Sequence, residues 1–90
     1  MLFRPFYHDE ISKDISGFPA NIKERIKKAI EERILVDPVK YGMPLKRELH
    51  GYRKLRVGDY RVIYKIDGER IKILKIGIRR DVYEGLSSRL

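Results

Sequence analysis

The 90-residue chain contains no cysteine and only two histidines, His8 and His50. Without thiols there can be no disulfide framework, thiolate zinc site, iron–sulfur cluster or cysteine nucleophile. No predicted helix carries paired histidines or carboxylates at metal-ligand spacing, so the sequence calls for no metal. It also has no glycine-rich phosphate loop, since Gly42, Gly51 and Gly58 are scattered. No apolar run approaches the roughly 20 residues of a membrane span, and no membrane association is expected. The first residues, Met1-Leu2-Phe3-Arg4-Pro5, lack the long apolar core and small-residue cleavage site of a secretory leader. The expectation is a cytoplasmic protein. Internal repeats, low-complexity tracts and linkers are also lacking, so residues 1–90 read as one domain.

Acid is scarce where base is concentrated. The chain carries 21 Lys+Arg against 13 Asp+Glu, a formal charge of +8. Residues 1–45 hold eight cations and seven anions, whereas residues 46–90 hold thirteen and six. Almost all the excess lies in the second half. Such a surface attracts phosphate backbones or acidic partners, although a lysine-rich solubilising surface has the same composition. Position on the fold has to decide.

The apolar pattern gives that fold. Leu2 to Tyr7, with Phe3 and Phe6, reads as a first strand. His8-Asp9-Glu10 then opens a helix whose face is Ile11, Ile15 and Phe18, ending at Gly17. A second helix starts at Pro19, carries Ile22, Ile26, Ala29, Ile30 and Ile34 on one side, and stops at Asp37-Pro38. Residues 38–50, with breakers at Pro38, Gly42 and Pro44, read as a loop or irregular edge. Beyond Tyr52 the period becomes two. Tyr52–Val57, Tyr60–Ile66 and Arg70–Gly77 read as strands joined by Gly58-Asp59 and Asp67-Gly68 turns. Asp81 is placed to cap a last helix over Val82–Ser88. The fold class is α+β, in the order βααβββα. A small, mainly antiparallel four-stranded sheet carries a two-helix hairpin on one face, with a short C-terminal helix.

A tight Gly58-Asp59 turn sets Arg56 opposite Arg61 and Leu55 opposite Val62. Alternation then gives Leu55, Val57, Tyr60, Val62 and Tyr64 to the helices, and Lys54, Arg56 and Arg61 to the other face. Two facing arginines repel by up to about 1 kcal/mol, a cost that an anion between them removes. The end of the last strand returns beside the start of the one before it, bringing Arg79 or Arg80 towards Arg61. Tyr83 follows and can overhang the same surface. Lys54, Arg56, Arg61, Arg79 and Tyr83 thus form a candidate phosphate site, because arginine forks match phosphate oxygens. Arg53, Arg80 and Lys46 are further candidates for holding phosphate. His50 and Tyr52 stand close enough to assist.

The run Leu55-Arg56-Val57-Gly58-Asp59-Tyr60-Arg61, within Pro44–Tyr64, together with Arg79-Arg80-Asp81-Val82-Tyr83, resembles the RelE/ParE toxin superfamily. The preceding helix hairpin and the chain length match as well. The resemblance implies a RelE-like, microbial-ribonuclease-like fold and the toxin half of a prokaryotic type II toxin–antitoxin pair. In the RelE branch it implies an mRNA interferase that cuts messenger RNA in the ribosomal A site. The reaction is attack by the ribose 2′-hydroxyl on its own 3′-phosphate, with no cofactor. On that pattern Lys54 and Arg61 hold substrate phosphate, with Arg56 as another basic position. Arg79 stabilises the scissile phosphate or protonates the leaving group, and Tyr83 activates the hydroxyl.

The implied partners are messenger RNA, the ribosome and a cognate antitoxin in a hetero-oligomer. The chain departs from the RelE pattern at Tyr52, where some nucleases carry lysine, and at Ile78, where many carry histidine. These departures leave two alternatives: a ParE-like poison of DNA gyrase, and an inactive relative that only binds RNA.

Overall fold

A computed structural model describes residues 2–90; Met1, the first of the residues in which no leader is expected, lies outside them. The strands are β1 (Arg4–Tyr7), β2 (Met43–Pro44), β3 (Tyr52–Val57), β4 (Tyr60–Asp67) and β5 (Arg70–Ile78). They form one sheet in the order β1-β5-β4-β3-β2. β1 runs parallel to β5 and the other pairs are antiparallel. The α+β class is as expected, but the sheet has five strands, not four. The extra one is the two-residue β2, inside the predicted loop, which pairs Met43 with Lys54 and Pro44 with Arg53.

The helices α1 (Ile11–Ile15) and α2 (Ala20–Ala29) pack on one face. Ile11, Ile26, Ala29 and Ile30 meet Leu55, Val57, Val62, Tyr64 and Ile73, all buried. Helix α2 continues into one wide π-helical turn, Ile30–Ile34, where the Leu35 N–H donates to the Ile30 carbonyl at 2.9 Å. Asp37 then caps a single helical turn, α3 (Pro38–Tyr41), by accepting from the Lys40 N–H. The buried Tyr64 hydroxyl donates to the Pro38 carbonyl at 2.6 Å and holds this turn on the core. Gly42 is required here, because a Cβ would lie 1.7 Å from that hydroxyl.

The opposite face carries a second, smaller core. Ile63 and Leu74 are covered by Val82 and Leu86 of the C-terminal tail, with Leu45, Leu49 and Tyr52 at its edge. The register is irregular between Ile63 and Tyr64, which pair with Lys75 and Ile73 and leave Leu74 as an extra residue on β5. The predicted last helix does not form. Two 3₁₀ turns, Arg79–Tyr83 and Leu86–Arg89, replace it, and Gly85 at φ 68° separates them. Asp81 lies inside the first turn instead of capping a helix. The spacing of Val82 and Leu86 is helical, but both point at the sheet without a continuous helix between them.

The tail is tied down at its far end. Arg89 makes a two-pronged ion pair with Asp14 of α1, both contacts at 2.7 Å. The Arg89 and Asp14 side chains are 13% and 8% exposed, and the Asp14 hydrogen bonds raise the Arg89 pKa above its usual value. Arg89 also donates to the Leu74 carbonyl, and Asp14 accepts from the Ile76 N–H. The pair thus satisfies backbone groups that β5 leaves free beyond its partner β1.

Candidate functional site

The β3–β4 hairpin has the predicted register, Val57 with Tyr60 and Arg56 with Arg61. Gly58 supplies the positive φ, 61°, at the first loop position. The next turn is displaced by one residue: Asp67 pairs with Arg70, so the loop is Gly68-Glu69.

Three guanidinium groups converge on the Gly58-Asp59 turn. Arg61 Nη1 donates to the Gly58 and Tyr60 carbonyls, each at 3.0 Å. Arg56 Nε donates to the same Gly58 carbonyl at 3.3 Å. Arg79 comes from the other end of the chain: its N–H donates to the Asp59 carbonyl and its Nη2 to the Asp59 carboxylate. Arg79 has φ 27°, a strained value outside glycine, and its backbone bond to the Asp59 carbonyl holds it there. Lys54 shares this face two residues along β3, roughly 7 Å from Arg56. Among the described residues no carboxylate lies within ion-pair distance of Lys54, Arg56 or Arg61. The Arg79–Asp59 pair is open to water, with side chains 64% and 71% exposed, so a phosphate can displace it at a cost below about 1 kcal/mol.

Tyr83 closes the first 3₁₀ turn and is exposed. Gly77 sets its height above the sheet: Val82 Cα lies 3.2 Å from where a Gly77 Cβ would be, so only glycine lets the tail come this close. Arg80 is exposed on the same turn and has no ion pair among the described residues.

Arg53 stands apart from the expected phosphate-binding set. Its partner on β4 is Tyr64, a core residue, so its side chain points to the helix side of the sheet. There Nη2 donates to the Val39 and Gly42 carbonyls at 2.8 and 2.7 Å, tying α3 and its exit to β3. Lys46 and His50 are exposed residues flanking a short 3₁₀ turn, Arg47–Leu49, and among the described residues neither side chain forms an ion pair. Tyr52 is half-buried, with Lys65 Nζ 5.3 Å from its ring centre.

One extension was not foreseen. Arg25, Lys28 and Arg33 of the helical layer line a cleft of about 180 Å³ with Arg56, Gly58 and one acid, Glu32, carrying net positive charge around the turn. The signal was present in the spacing of Arg25 and Lys28, which puts them on one helical edge. What the main arrangement can do is hold a phosphodiester between the Arg56 and Arg61 forks and an exchangeable Arg79, while Tyr83 ends the turn that Arg79 opens.

The ParE toxin family of type II toxin–antitoxin systems, parDE, matches residues 6–83. The chain is 33% identical over 73 residues to Toxin RelG of Mycobacterium tuberculosis, covering 79% of this chain and 84% of that protein. It is 32% identical over 83 residues to Toxin RelE of the same organism, covering 86% of each. Among solved structures, it is similar to the RelBE2 toxin–antitoxin complex of M. tuberculosis. The TM-score is 0.81 at 27% identity, over 88% of this chain and 100% of that one. The free E. coli toxin RelE, a double arginine mutant, shares the fold with a TM-score of 0.76 at 21% identity, over 100% of this chain and 99% of that one.

Proposed function

Because the chain belongs to the ParE toxin family of type II toxin–antitoxin systems, within the RelE/ParE superfamily, we propose that it is a ribosome-dependent messenger RNA endoribonuclease. The observation that carries this reading is the convergence of Arg56, Arg61 and Arg79 on one turn, with no carboxylate paired to Arg56 or Arg61 among the described residues. A surface built only for solubility would disperse those charges or pair them.

In the reaction, the ribose 2′-oxygen attacks its own 3′-phosphorus as the bond to the 5′-oxygen breaks. A 2′,3′-cyclic phosphate and a 5′-hydroxyl result. The Tyr83 oxygen accepts the proton of the 2′-hydroxyl as its own proton passes to solvent, and the leaving 5′-oxygen takes one from solvent beside Arg79. Lys54, Arg56 and Arg61 hold the non-bridging oxygens, whose charge grows in the pentavalent transition state. Arg80 and Lys46 extend phosphate binding outside that centre. The partner that keeps this activity in check is an antitoxin, as in the solved RelBE2 complex and the RelB–RelE complex of Methanococcus jannaschii.

The test is purified protein with ribosomes carrying a defined message, followed by mapping of transcript ends. Scission within the A-site codon is expected, and Arg61→Ala should slow it by about 100-fold or more, the usual effect of losing one transition-state donor. Tyr83→Phe should lower kcat with little change in KM. Intact message at saturating protein would remove the proposal.

A second reading rests on the family match itself, whose description is ParE, and on Tyr52 and Ile78 in place of the expected lysine and histidine. It is a DNA gyrase poison, and it predicts trapped gyrase–DNA cleavage complexes with translation unaffected.

A further inference from the structure

The strand registers align four side chains in a row across the sheet. Phe6 pairs with Lys72, Lys72 with Lys65, and Lys65 with Tyr52. The row spans β1, β5, β4 and β3, about 14 Å at the usual strand spacing, with an aromatic ring at each end and two lysines between. It lies on the face that carries Lys54, Arg56 and Arg61. Four residues along β4, roughly 13 Å, separate it from Arg61. The tail residues Val82 and Leu86 cover Ile63 between the two places, so the row stands apart from Arg56, Arg61 and Arg79, with Lys54 between them two residues from Tyr52.

Each ring already has a cation beside it. The Arg70 guanidinium stands 5.3 Å from the Phe6 ring centre, and Lys65 Nζ the same distance from that of Tyr52. Phe6 is 47% exposed although it is a large apolar side chain on a strand. Both rings line one cleft of about 350 Å³, with Arg70, Lys72 and Leu74. The row's acidic partner is Asp67, which pairs with Lys72 at 3.2 Å with both side chains more than half exposed. Such a pair yields easily to a phosphate. Rings flanked by cations on an open sheet face are the means by which single strands are held without sequence readout: bases stack on the rings and phosphates meet the cations.

We propose that Phe6, Tyr52, Lys65 and Lys72, with Arg70, form a second nucleotide site for single-stranded RNA, a few nucleotides from the scissile linkage. The choice of RNA rests on the ribonuclease reading above. In this site Tyr52 is a stacking platform, and Lys65 across the strand pair supplies the charge beside it.

The experiment measures binding of nuclease-resistant 2′-O-methyl oligonucleotides, three and eight residues long, to the purified chain. The double variant Phe6→Leu/Tyr52→Leu keeps apolar bulk but removes the rings. It should bind the octamer about tenfold more weakly and the trimer unchanged. Lys65→Gln/Lys72→Gln should flatten the octamer's salt dependence by about 1.4 in log–log slope. A leucine variant that binds the octamer like wild type overturns the proposal. So does a wild-type chain that binds neither oligonucleotide, or a leucine variant that loses only its protein antitoxin. Photocrosslinking of a 4-thiouridine octamer to the wild-type chain decides the matter if the variant does not fold. Crosslinks at Phe6 or Tyr52 support the site, and their absence overturns it. Ring-dependent octamer binding without transcript scission would keep this site and remove the ribonuclease reading. Scission with ring-independent binding would do the reverse.

Discussion

Arg79 is bound to Asp59 twice, through its backbone N–H to the carbonyl at 3.0 Å and through its guanidinium to the carboxylate at 3.3 Å. The first contact fixes where the strained residue sits, and the second occupies the charge that substrate needs. These roles separate in a variant. Asp59→Asn keeps the backbone bond and removes the competing anion. It should change unfolding free energy by less than about 1 kcal/mol. It should also tighten oligonucleotide binding severalfold at low salt, measured by fluorescence anisotropy, with the gain shrinking as salt is raised.

Gly77→Ala tests how closely the tail must approach the sheet. The new methyl would meet the Val82 backbone at 3.2 Å, so the turn bearing Arg79 and Tyr83 must lift by a few tenths of an ångström. Overpacking of this sort costs about 1–3 kcal/mol. Message cleavage should fall more than stability does, because a small displacement of Tyr83 moves it off the hydroxyl it serves. Chemical denaturation and single-turnover cleavage on the same sample check this.

The Asp14–Arg89 pair should matter to folding far more than an exposed pair. Removing one partner strands a buried charge and frees the Leu74 carbonyl and Ile76 N–H contacts. Arg89→Ala is expected to cost about 3 kcal/mol in urea unfolding. Asp14→Asn should be milder, since an amide still accepts from the Ile76 N–H.

Tyr64 gives the chain an alkaline limit. Burial raises its hydroxyl pKa above the ordinary 10.0, with the nearby Arg53 pulling the other way. The folded state therefore holds this proton more tightly than the unfolded chain. That contribution is complete below about pH 10 and fades as pH climbs through the folded value. Tyr7, raised by burial and by Glu31, acts in the same direction. Tyr64→Phe should lose about 1 kcal/mol at neutral pH with its 2.6 Å bond to Pro38, yet fall less steeply above pH 10. Thermal melts from pH 8 to 11 give both quantities.

The hairpin at Gly58 was legible because a glycine turn and strict alternation leave one register in which Leu55, Val57, Val62 and Tyr64 are all inside. The meeting of Arg79 with that hairpin followed from chain direction alone. Arg53 was misassigned when charge was given more weight than parity, since an odd-numbered residue of β3 belongs with Leu55 and Val57. Residues 38–50 were opaque for a different reason. The contacts that order α3 and β2 come from Arg53 and Tyr64, distant in sequence, and no local pattern announces them. In the tail, Val82 and Leu86 carry a helical spacing that Gly85 interrupts, so periodicity pointed to an element that the left-handed glycine prevents. The row from Phe6 to Tyr52 needed the parallel β1–β5 pairing, which only the folded sheet supplies.

The wide turn at Ile30–Ile34 amounts to one surplus residue wound into an otherwise ordinary α-helix, and it lets Ile34 and the following Leu35 both face inward. The surplus residue is taken up within that turn, so a chain shortened by Glu31 or Glu32 closes the helix at normal pitch and keeps the flanking elements in place. Leu35 then still offers the carbonyl that receives the Phe3 N–H, and the start of the first strand stays seated.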